Sequence, residues 1–185
     1  MCRSFLDLPV APEVVDRLLD RARRAPSAGH TQGWAFVVLE GRDLTARFWA
    51  LDADPGWLAR PTHPGLLRAP VIVLPLASRQ AYRDRYGEPD KRDGRPPEWT
   101  VPYWLVDTAF ATMLLLLGSV EEGLGALLFA LHGDPRRTLD AFGVPPGWEP
   151  LGAVAIGWPG PDDRPSASAL RGRRPAGEVV HRGGW

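Results

Sequence analysis

The chain contains, at residues 25–38, the stretch Ala25-Pro26-Ser27-Ala28-Gly29-His30-Thr31-Gln32-Gly33-Trp34-Ala35-Phe36-Val37-Val38. It joins the end of an amphipathic helix to the start of an apolar strand, and Pro26 stops the helix. The connector between them is small, polar and rich in backbone N–H donors. Such a turn suits a bound, oxygen-rich ligand better than a packed core, so we place the first candidate site here.

On both sides of this stretch, helical and strand periodicity alternate along the chain. Four helices are predicted, at 12–24, at 44–51 with Asp43 as N-cap, at 104–122, and from Pro135 to a stop at Gly143. Four apolar strands are predicted, at 35–40, 70–76, 126–131 and 152–158. The alternation predicts one α+β or α/β domain over residues 1–185. Within it, the charged, proline-bearing residues 77–104 are predicted to be a loop, lid or insertion, and 159–185 an extended tail.

Composition excludes several classes of function. The 185 residues carry 22 basic and 22 acidic side chains, so no net positive field favours nucleic acid. Cys2 is the single cysteine, which rules out an intrachain disulfide or a cysteine-based zinc site and favours a reducing cytoplasm. The longest apolar helix is bounded by Asp107 and Glu121 and is too short to span a bilayer, so no membrane association is expected.

Motif searches leave no hydrolase, metal or dinucleotide-fold site. The chain has no Gly-x-Gly-x-x-Gly after a strand, no P-loop, no His-Glu-x-x-His and no Gly-x-Ser-x-Gly. Its four histidines are scattered without ligand spacing, so no metal is predicted. A flavin, in contrast, supplies its own reactive atoms. To bind it, the protein needs arginines at the phosphate and backbone N–H groups near the ring. No catalytic side chain is therefore assigned.

Four segments resemble the nitroreductase-like family of flavoenzymes. Residues 25–36 are similar to its Ala-Pro-Ser-x-x-Asn-x-Gln-Pro-Trp-x-Phe signature, and Arg3–Val10 to its Arg-x-Phe-x-x-x-Pro-Val opening. The third segment is the apolar helix from Asp107, with Gly123-Leu124-Gly125 that ends it and the strand that follows, and the helix resembles the family's dimer-core helix. The fourth, Arg171–Pro175, resembles the family's basic-x-basic-x-Pro motif. The resemblance implies an α+β three-layer sandwich with a central, mainly antiparallel sheet flanked by helices. It also implies a homodimer that holds FMN between its subunits, with the C-terminal tail extending to the partner.

The resemblance also implies a set of cofactor-binding residues. Arginines at both ends of the chain would hold the FMN phosphate, the 25–36 stretch would line the flavin and ribityl chain of the neighbouring subunit, and the end of the third strand would present backbone to the ring near N5. The residues concerned are Arg3, Arg171 and Arg173; Pro26, Ser27, Ala28, His30 and Gln32; and Phe129, Ala130 and Leu131.

The match breaks at several positions. Met1 falls on a serine position of the family opening, which predicts either a start further upstream or a weaker phosphate grip. His30 stands in place of the usual asparagine, and Gly33 in place of the proline before Trp34. Ala130 and Leu131 replace a Gly-Gly or Glu-Gly pair, which puts side chains where the family often has bare backbone.

These observations predict an FMN-dependent NAD(P)H oxidoreductase that reduces nitroaromatic, quinone or enone acceptors. Two alternatives stay open. One is a flavin-consuming, benzimidazole synthase-like enzyme, since that branch also has Ser-x-Gly before a residue other than asparagine. The other is a non-catalytic protein that binds a flavin or deazaflavin. The choice between NADH and NADPH and the physiological acceptor are not encoded in any motif, and acceptor choice is expected to depend on residues 77–104.

Overall fold

The computed structural model describes residues 1–91 and 98–185. Six α-helices lie in this part of the chain: α1 (Pro12–Ala22), α2 (Arg42–Asp52), α3 (Pro55–Ala59), α4 (Arg79–Tyr86), α5 (Tyr103–Glu121) and α6 (Pro135–Ala141). Five strands accompany them: β1 (Trp34–Glu40), β2 (Val71–Ser78), β3 (Gly125–Phe129), β4 (Trp148–Pro150) and β5 (Ala153–Gly157). Short 3₁₀ turns cover Ala28–His30, Pro64–Arg68, Ala167–Arg171 and Ala176–Glu178.

The strands form one antiparallel sheet in the order β1-β2-β5-β3, with β4 also paired to β2. Val73 of β2 lies opposite Val38 on one side and Val154 on the other. All eight residues of β2 are buried, so this strand forms the centre of the sheet. A strand that is covered on both faces has apolar residues at consecutive positions, which explains the uninterrupted Val-Ile-Val-Leu sequence of β2.

Helices cover both faces of the sheet, and alternate residues of β2 point to opposite layers. Val71 and Val73 pack with α1 and α5 in one core, whereas Ile72 and Leu74 pack with α2 and α6 in the other. This arrangement confirms the predicted α+β sandwich with its central antiparallel sheet.

Residues 77–104 differ from the predicted loop. The strand β2 continues to Ser78, whose side chain accepts a hydrogen bond from the Ala81 N–H at 3.2 Å and caps α4. Only Tyr82 of α4 is buried, so the helix gives almost no apolar periodicity to recognise. Residues 92–97 of this segment lie outside the described residues.

Smaller differences concern the ends of elements. Gly41, not Asp43, is the N-cap of α2, and its φ of 84° suits glycine. The helix α3, capped by Asp54, and the three-residue strand β4 were not predicted, because elements this short leave no periodic pattern.

Among the described helices, α5 alone has the length and hydropathy of a membrane span, with a mean hydropathy of 1.5. It packs against α1, β2 and β3 as the core helix of its layer. Its outer face nevertheless carries a row of exposed apolar side chains at helical spacing: Phe110, Met113, Leu117 and Val120. Leu117 is 59% and Val120 68% exposed, so this apolar row lacks a partner within residues 1–91 and 98–185.

The two ends of the chain meet at one edge of the molecule. Phe5 forms an isolated β-bridge with Pro159, and the Asp163 carboxylate accepts backbone N–H bonds from Arg3 and Ser4 at 2.7 and 3.1 Å. Beyond this anchor, residues 167–185 are exposed throughout.

Candidate functional site

The turn between α1 and β1 has an unusual backbone. Gly29, His30 and Gln32 have φ values of 63°, 54° and 51°. Left-handed backbone at a residue other than glycine costs about 1–3 kcal/mol, and such strain is concentrated at ligand sites. The Ser27 hydroxyl accepts the Gln32 N–H at 2.9 Å and closes the turn, which leaves the His30 and Gln32 side chains exposed.

A buried carboxylate holds the turn from behind. Asp107 of α5 accepts the Ala28 N–H at 2.7 Å and the Tyr82 hydroxyl at 2.6 Å, both at Oδ2. Asp107 is 4% exposed and Tyr82 is fully buried. Burial, together with the adjacent Asp107 carboxylate, raises the pKa of Tyr82, so its hydroxyl stays protonated and donates.

The helix α4 supplies a second brace. Arg85 Nε donates to the Gly29 carbonyl at 2.9 Å, while its guanidinium pairs with Glu88 at 2.8 Å and Asp90 at 2.7 Å. The hydrogen bond from Arg85 lowers the pKa of Asp90 to about 2. The turn is therefore fixed by contacts from both α4 and α5, which is the preorganisation a ligand-binding loop requires.

The structure explains why glycine replaces proline at position 33. A Cβ atom built on Gly33 would lie 2.5 Å from Cε2 of Tyr82. The Tyr82 ring thus occupies the space that any larger residue at position 33 would need.

Three cavities that share lining residues follow one another along the N-terminal edge of the protein, and we call this row of cavities the groove. The first, of about 370 Å³, lies between Arg3 and the 3₁₀ turn Ala167–Arg171. The second, of about 290 Å³, shares Arg3, Asp163 and Pro165 with it. The third, of about 360 Å³, shares Thr62 and His63 with the second and ends at Phe129 and His132. The groove therefore has a guanidinium group at one end and an aromatic pocket at the other.

The Arg3 end of the groove offers a guanidinium group to a ligand, beside two carboxylates that have partners of their own. The carboxylate of Asp162 pairs with Arg68 at 3.2 Å and accepts the Ser4 hydroxyl at 2.6 Å. Asp163 is satisfied by two backbone N–H groups. Within residues 1–91 and 98–185, the Arg3 guanidinium makes no ion pair or hydrogen bond, and it remains available to a ligand.

The other end of the groove is aromatic. The rings of Trp49 and Phe129 stack at a centroid distance of 5.3 Å, and Trp57 lies 6.1 Å from Trp49. The indole N–H of Trp49 is buried and has no partner in the described part of the chain. His132 stacks on Phe129 at 6.5 Å. A planar ligand with hydrogen-bonding edges matches these walls.

The strand end beside this pocket is held by a buried carboxylate. Asp52 Oδ1 accepts the N–H groups of His132 and Gly133 at 3.1 and 3.4 Å. Burial raises the pKa of Asp52 despite these bonds. The turn that follows β3 is thereby fixed next to Phe129.

The structure brings together only some of the residues predicted for the cofactor site. Arg3 and Phe129 line the groove, Leu131 packs against the core beside it, and Ala130 is exposed. Arg171 and Arg173 are exposed and have no ion-pair partner among the described residues. The turn residues Pro26, Ser27, Ala28, His30 and Gln32 do not line the groove.

Sequence reasoning missed Thr62, His63 and His132. The two histidines had been set aside because they lack metal-ligand spacing. Tertiary packing places them in one groove although they are 69 positions apart in the sequence, and no local pattern signals this. Among the described residues, no group of three His, Cys, Asp or Glu side chains could hold a metal ion.

Comparison with known proteins agrees with this fold. The chain is 25% identical over 184 residues to the FMN reductase [NAD(P)H] of Bacillus subtilis (strain 168), covering 97% of this chain and 68% of that protein. The crystal structure of the nitroreductase family protein of Streptococcus pneumoniae TIGR4 superposes with a TM-score of 0.73 at 18% identity, covering 98% and 94% of the two chains. That of the nitroreductase family protein of Clostridium difficile 630 gives 0.71 at 20% identity, covering 100% and 93%. Residues 1–158 match the sequence model of the Nitroreductase family, and the chain belongs to that family.

Proposed function

We propose that this protein is an FMN-dependent NAD(P)H oxidoreductase that reduces nitroaromatic, quinone or enone acceptors. Family membership makes it a flavin-dependent oxidoreductase with FMN as its cofactor. The observation that supports the finer proposal is the groove. FMN has an anionic phosphate at one end and a planar ring system at the other, and the two ends of the groove match these two groups. One end offers a free guanidinium and the other an aromatic pocket.

The phosphate of FMN is assigned to the Arg3 end. Guanidinium groups bind phosphate oxygens in a fork and keep their charge at all physiological pH values. Arg171 closes the 3₁₀ turn that borders this end, and Arg173 follows two residues later. Both are exposed and unpaired within the described chain, so they are available to the same phosphate.

The ring system is assigned to the end near Phe129, Ala130 and Leu131. Asp52 holds the backbone that follows this strand, and the stacked aromatic rings offer an apolar wall to the ring system. Bound FMN supplies the two-electron redox chemistry there. The chain's own residues bind and orient the cofactor, and no side chain is required to carry electrons.

The site is assigned to a homodimer. The exposed apolar row on α5 is the kind of surface that an isologous interface buries. The strained turn at 27–32 lies outside the groove of its own chain, although its backbone is held as a ligand-binding turn would be. A second copy docked on α5 would supply the turn that the groove lacks. The proposed location is the cytoplasm.

Flavin binding tests the proposal directly. The purified protein is expected to be yellow, to bind FMN, and to oxidise NADH or NADPH when a quinone or nitroaromatic is added. Arg3→Ala should weaken FMN binding roughly 10- to 100-fold, the value of a charge-assisted hydrogen bond, and leave riboflavin binding unchanged. Arg23→Ala, at the exposed C-cap of α1, is the matched control.

Two outcomes would contradict the proposal. One is a protein that binds neither FMN nor riboflavin. The other is an Arg3→Ala variant whose affinities for FMN and riboflavin fall equally, since riboflavin has no phosphate to lose.

A further inference from the structure

Asp107 and Tyr82 form a hydrogen-bonded pair directly behind the turn. The two side chains come from α5 and α4, and the Tyr82 hydroxyl donates to the same carboxylate oxygen that accepts the Ala28 N–H. Neither side chain lines the groove, so neither touches the proposed cofactor. Their position between two helices and the turn indicates an indirect role.

The backbone of the turn needs such an anchor. His30 and Gln32 have positive φ values, which a free chain would leave by relaxing toward ordinary conformations. The Ala28 N–H is the point at which the turn is tied to the rigid helix α5, and the bond is charge-assisted. Loss of this bond would release the strained residues on its C-terminal side.

Tyr82 fits this position because residue 33 is glycine. The approach of its ring to Gly33 leaves no room for a Cβ atom, so ring and backbone are in direct contact. The same side chain donates its hydroxyl to Asp107. The departure from the family signature at Gly33 and the tyrosine on α4 therefore belong to one structural unit.

We propose that Asp107 and Tyr82 are positioning residues that hold the turn at 27–32 in its cofactor-binding conformation, with the Asp107 carboxylate as the shared acceptor. This inference rests on the proposed function for its consequence, which is cofactor affinity. The tether itself is a property of the chain without cofactor. A carboxylate that only stabilised the core would lower stability when replaced and would leave the turn and the cofactor affinity unchanged.

Tyr82→Phe removes one hydroxyl and keeps the ring. Ser119→Ala is the matched control, because it removes one buried hydroxyl from α5 whose bond, to the Leu115 carbonyl at 2.8 Å, lies away from the turn. Hydrogen exchange on the chain without FMN should show amides 28–33 exchanging about tenfold faster in Tyr82→Phe and unchanged in Ser119→Ala. The dissociation constant for FMN should rise about tenfold in the first variant only.

Asp107 offers a rescue test. Asp107→Leu should weaken FMN binding and speed exchange at 28–33 more than Tyr82→Phe, because the Ala28 N–H loses its acceptor. Asp107→Asn keeps a carbonyl oxygen at this position and should recover most of the loss.

The inference is overturned if Tyr82→Phe and Ser119→Ala show the same exchange at 28–33, or if Asp107→Asn behaves like Asp107→Leu. These readouts need no cofactor. If the wild-type protein failed to bind FMN, the proposed function would fall while the exchange comparison would still decide whether the tether exists.

Discussion

Gly33→Ala tests how closely Tyr82 is packed on the turn. The added Cβ would lie 2.5 Å from Tyr82 Cε2 and 3.0 Å from Cδ2. Carbon atoms pack best at about 3.5–4.0 Å, so the contact is about 1 Å too short. The ring cannot move aside, because it is fully buried and its hydroxyl is bonded to Asp107. Overpacking of this kind costs about 3 kcal/mol at the upper end of its range.

The net effect is smaller than this cost. Alanine restricts the unfolded chain more than glycine does, which offsets about 0.4–1 kcal/mol. A net destabilisation of about 2 kcal/mol lowers the Tm of a protein of this size by about 4–8 °C. Thermal unfolding followed by circular dichroism measures the shift. Gly177→Ala is the control, since its Cβ would meet nothing within 4 Å and its Tm should stay unchanged.

A double-mutant cycle with Tyr82→Ala completes the test. Removing the ring also removes the clash, so the loss in the double variant should be smaller than the sum of the two single losses. The reasoning is refuted if Gly33→Ala unfolds at the wild-type temperature, or if the two changes are simply additive.

Three further predictions concern the interface, the phosphate and pH. Leu117→Glu places a charge in the exposed row of α5, so light scattering should show a monomer and FMN binding should be abolished. Leu44→Glu, at an exposed position of α2, is the control and should change neither the oligomeric state nor FMN binding. A Leu117→Glu protein that is still a dimer would exclude α5 as the interface. Arg173→Ala should weaken FMN binding roughly tenfold and leave riboflavin binding unchanged. Arg174 already pairs with Glu178, so Arg174→Ala is the control and should change neither affinity. If Arg174→Ala weakened FMN binding and Arg173→Ala did not, Arg173 would not belong to the phosphate site. Because burial raises the pKa of Asp52, the stability its carboxyl contributes is present below the ordinary pKa of 3.8 and is lost as pH rises through the raised value. The asparagine in the Asp52→Asn variant cannot ionise, so the variant does not lose this stability. Its urea midpoint minus that of wild type should therefore increase as the pH rises from 3.8 through the raised pKa of Asp52. A difference in urea midpoint that does not change with pH would contradict the raised pKa.

Apolar periodicity predicted one α+β or α/β domain, and the resemblance to the family implied the antiparallel sandwich. The uninterrupted apolar run in β2 is buried throughout, whereas the all-round apolar α5 buries one face and leaves apolar side chains exposed on the other. The helix α4 could not be predicted, since its single buried residue Tyr82 leaves the other residues polar. Tertiary contacts, not helix periodicity, place it against the turn.

The candidate site was predicted only in part, for a similar reason. Arg3 and Phe129 were found because each lies in a segment that resembles a family motif. Thr62 and His132 carry no such signal and reach the groove only through folding. No local pattern explains the glycine at position 33, and its cause lies in a tyrosine 49 positions further along the chain. Local sequence patterns cannot predict residue pairs of this kind.

A mixed dimer tests the central claim, that the groove of one copy is completed by the turn of another. Arg3→Glu carries a defective groove, and the double variant His30→Asp/Gln32→Asp carries a defective turn; aspartate tolerates the left-handed backbone at both exposed positions. The two variants are co-expressed with different affinity tags, the mixed dimer is purified, and its bound FMN is counted. A shared site predicts about one FMN per mixed dimer and none in either parental dimer, because one groove and one turn in the mixed dimer are both intact. A mixed dimer without FMN, beside a wild-type dimer that binds two, would show that each site lies within a single chain.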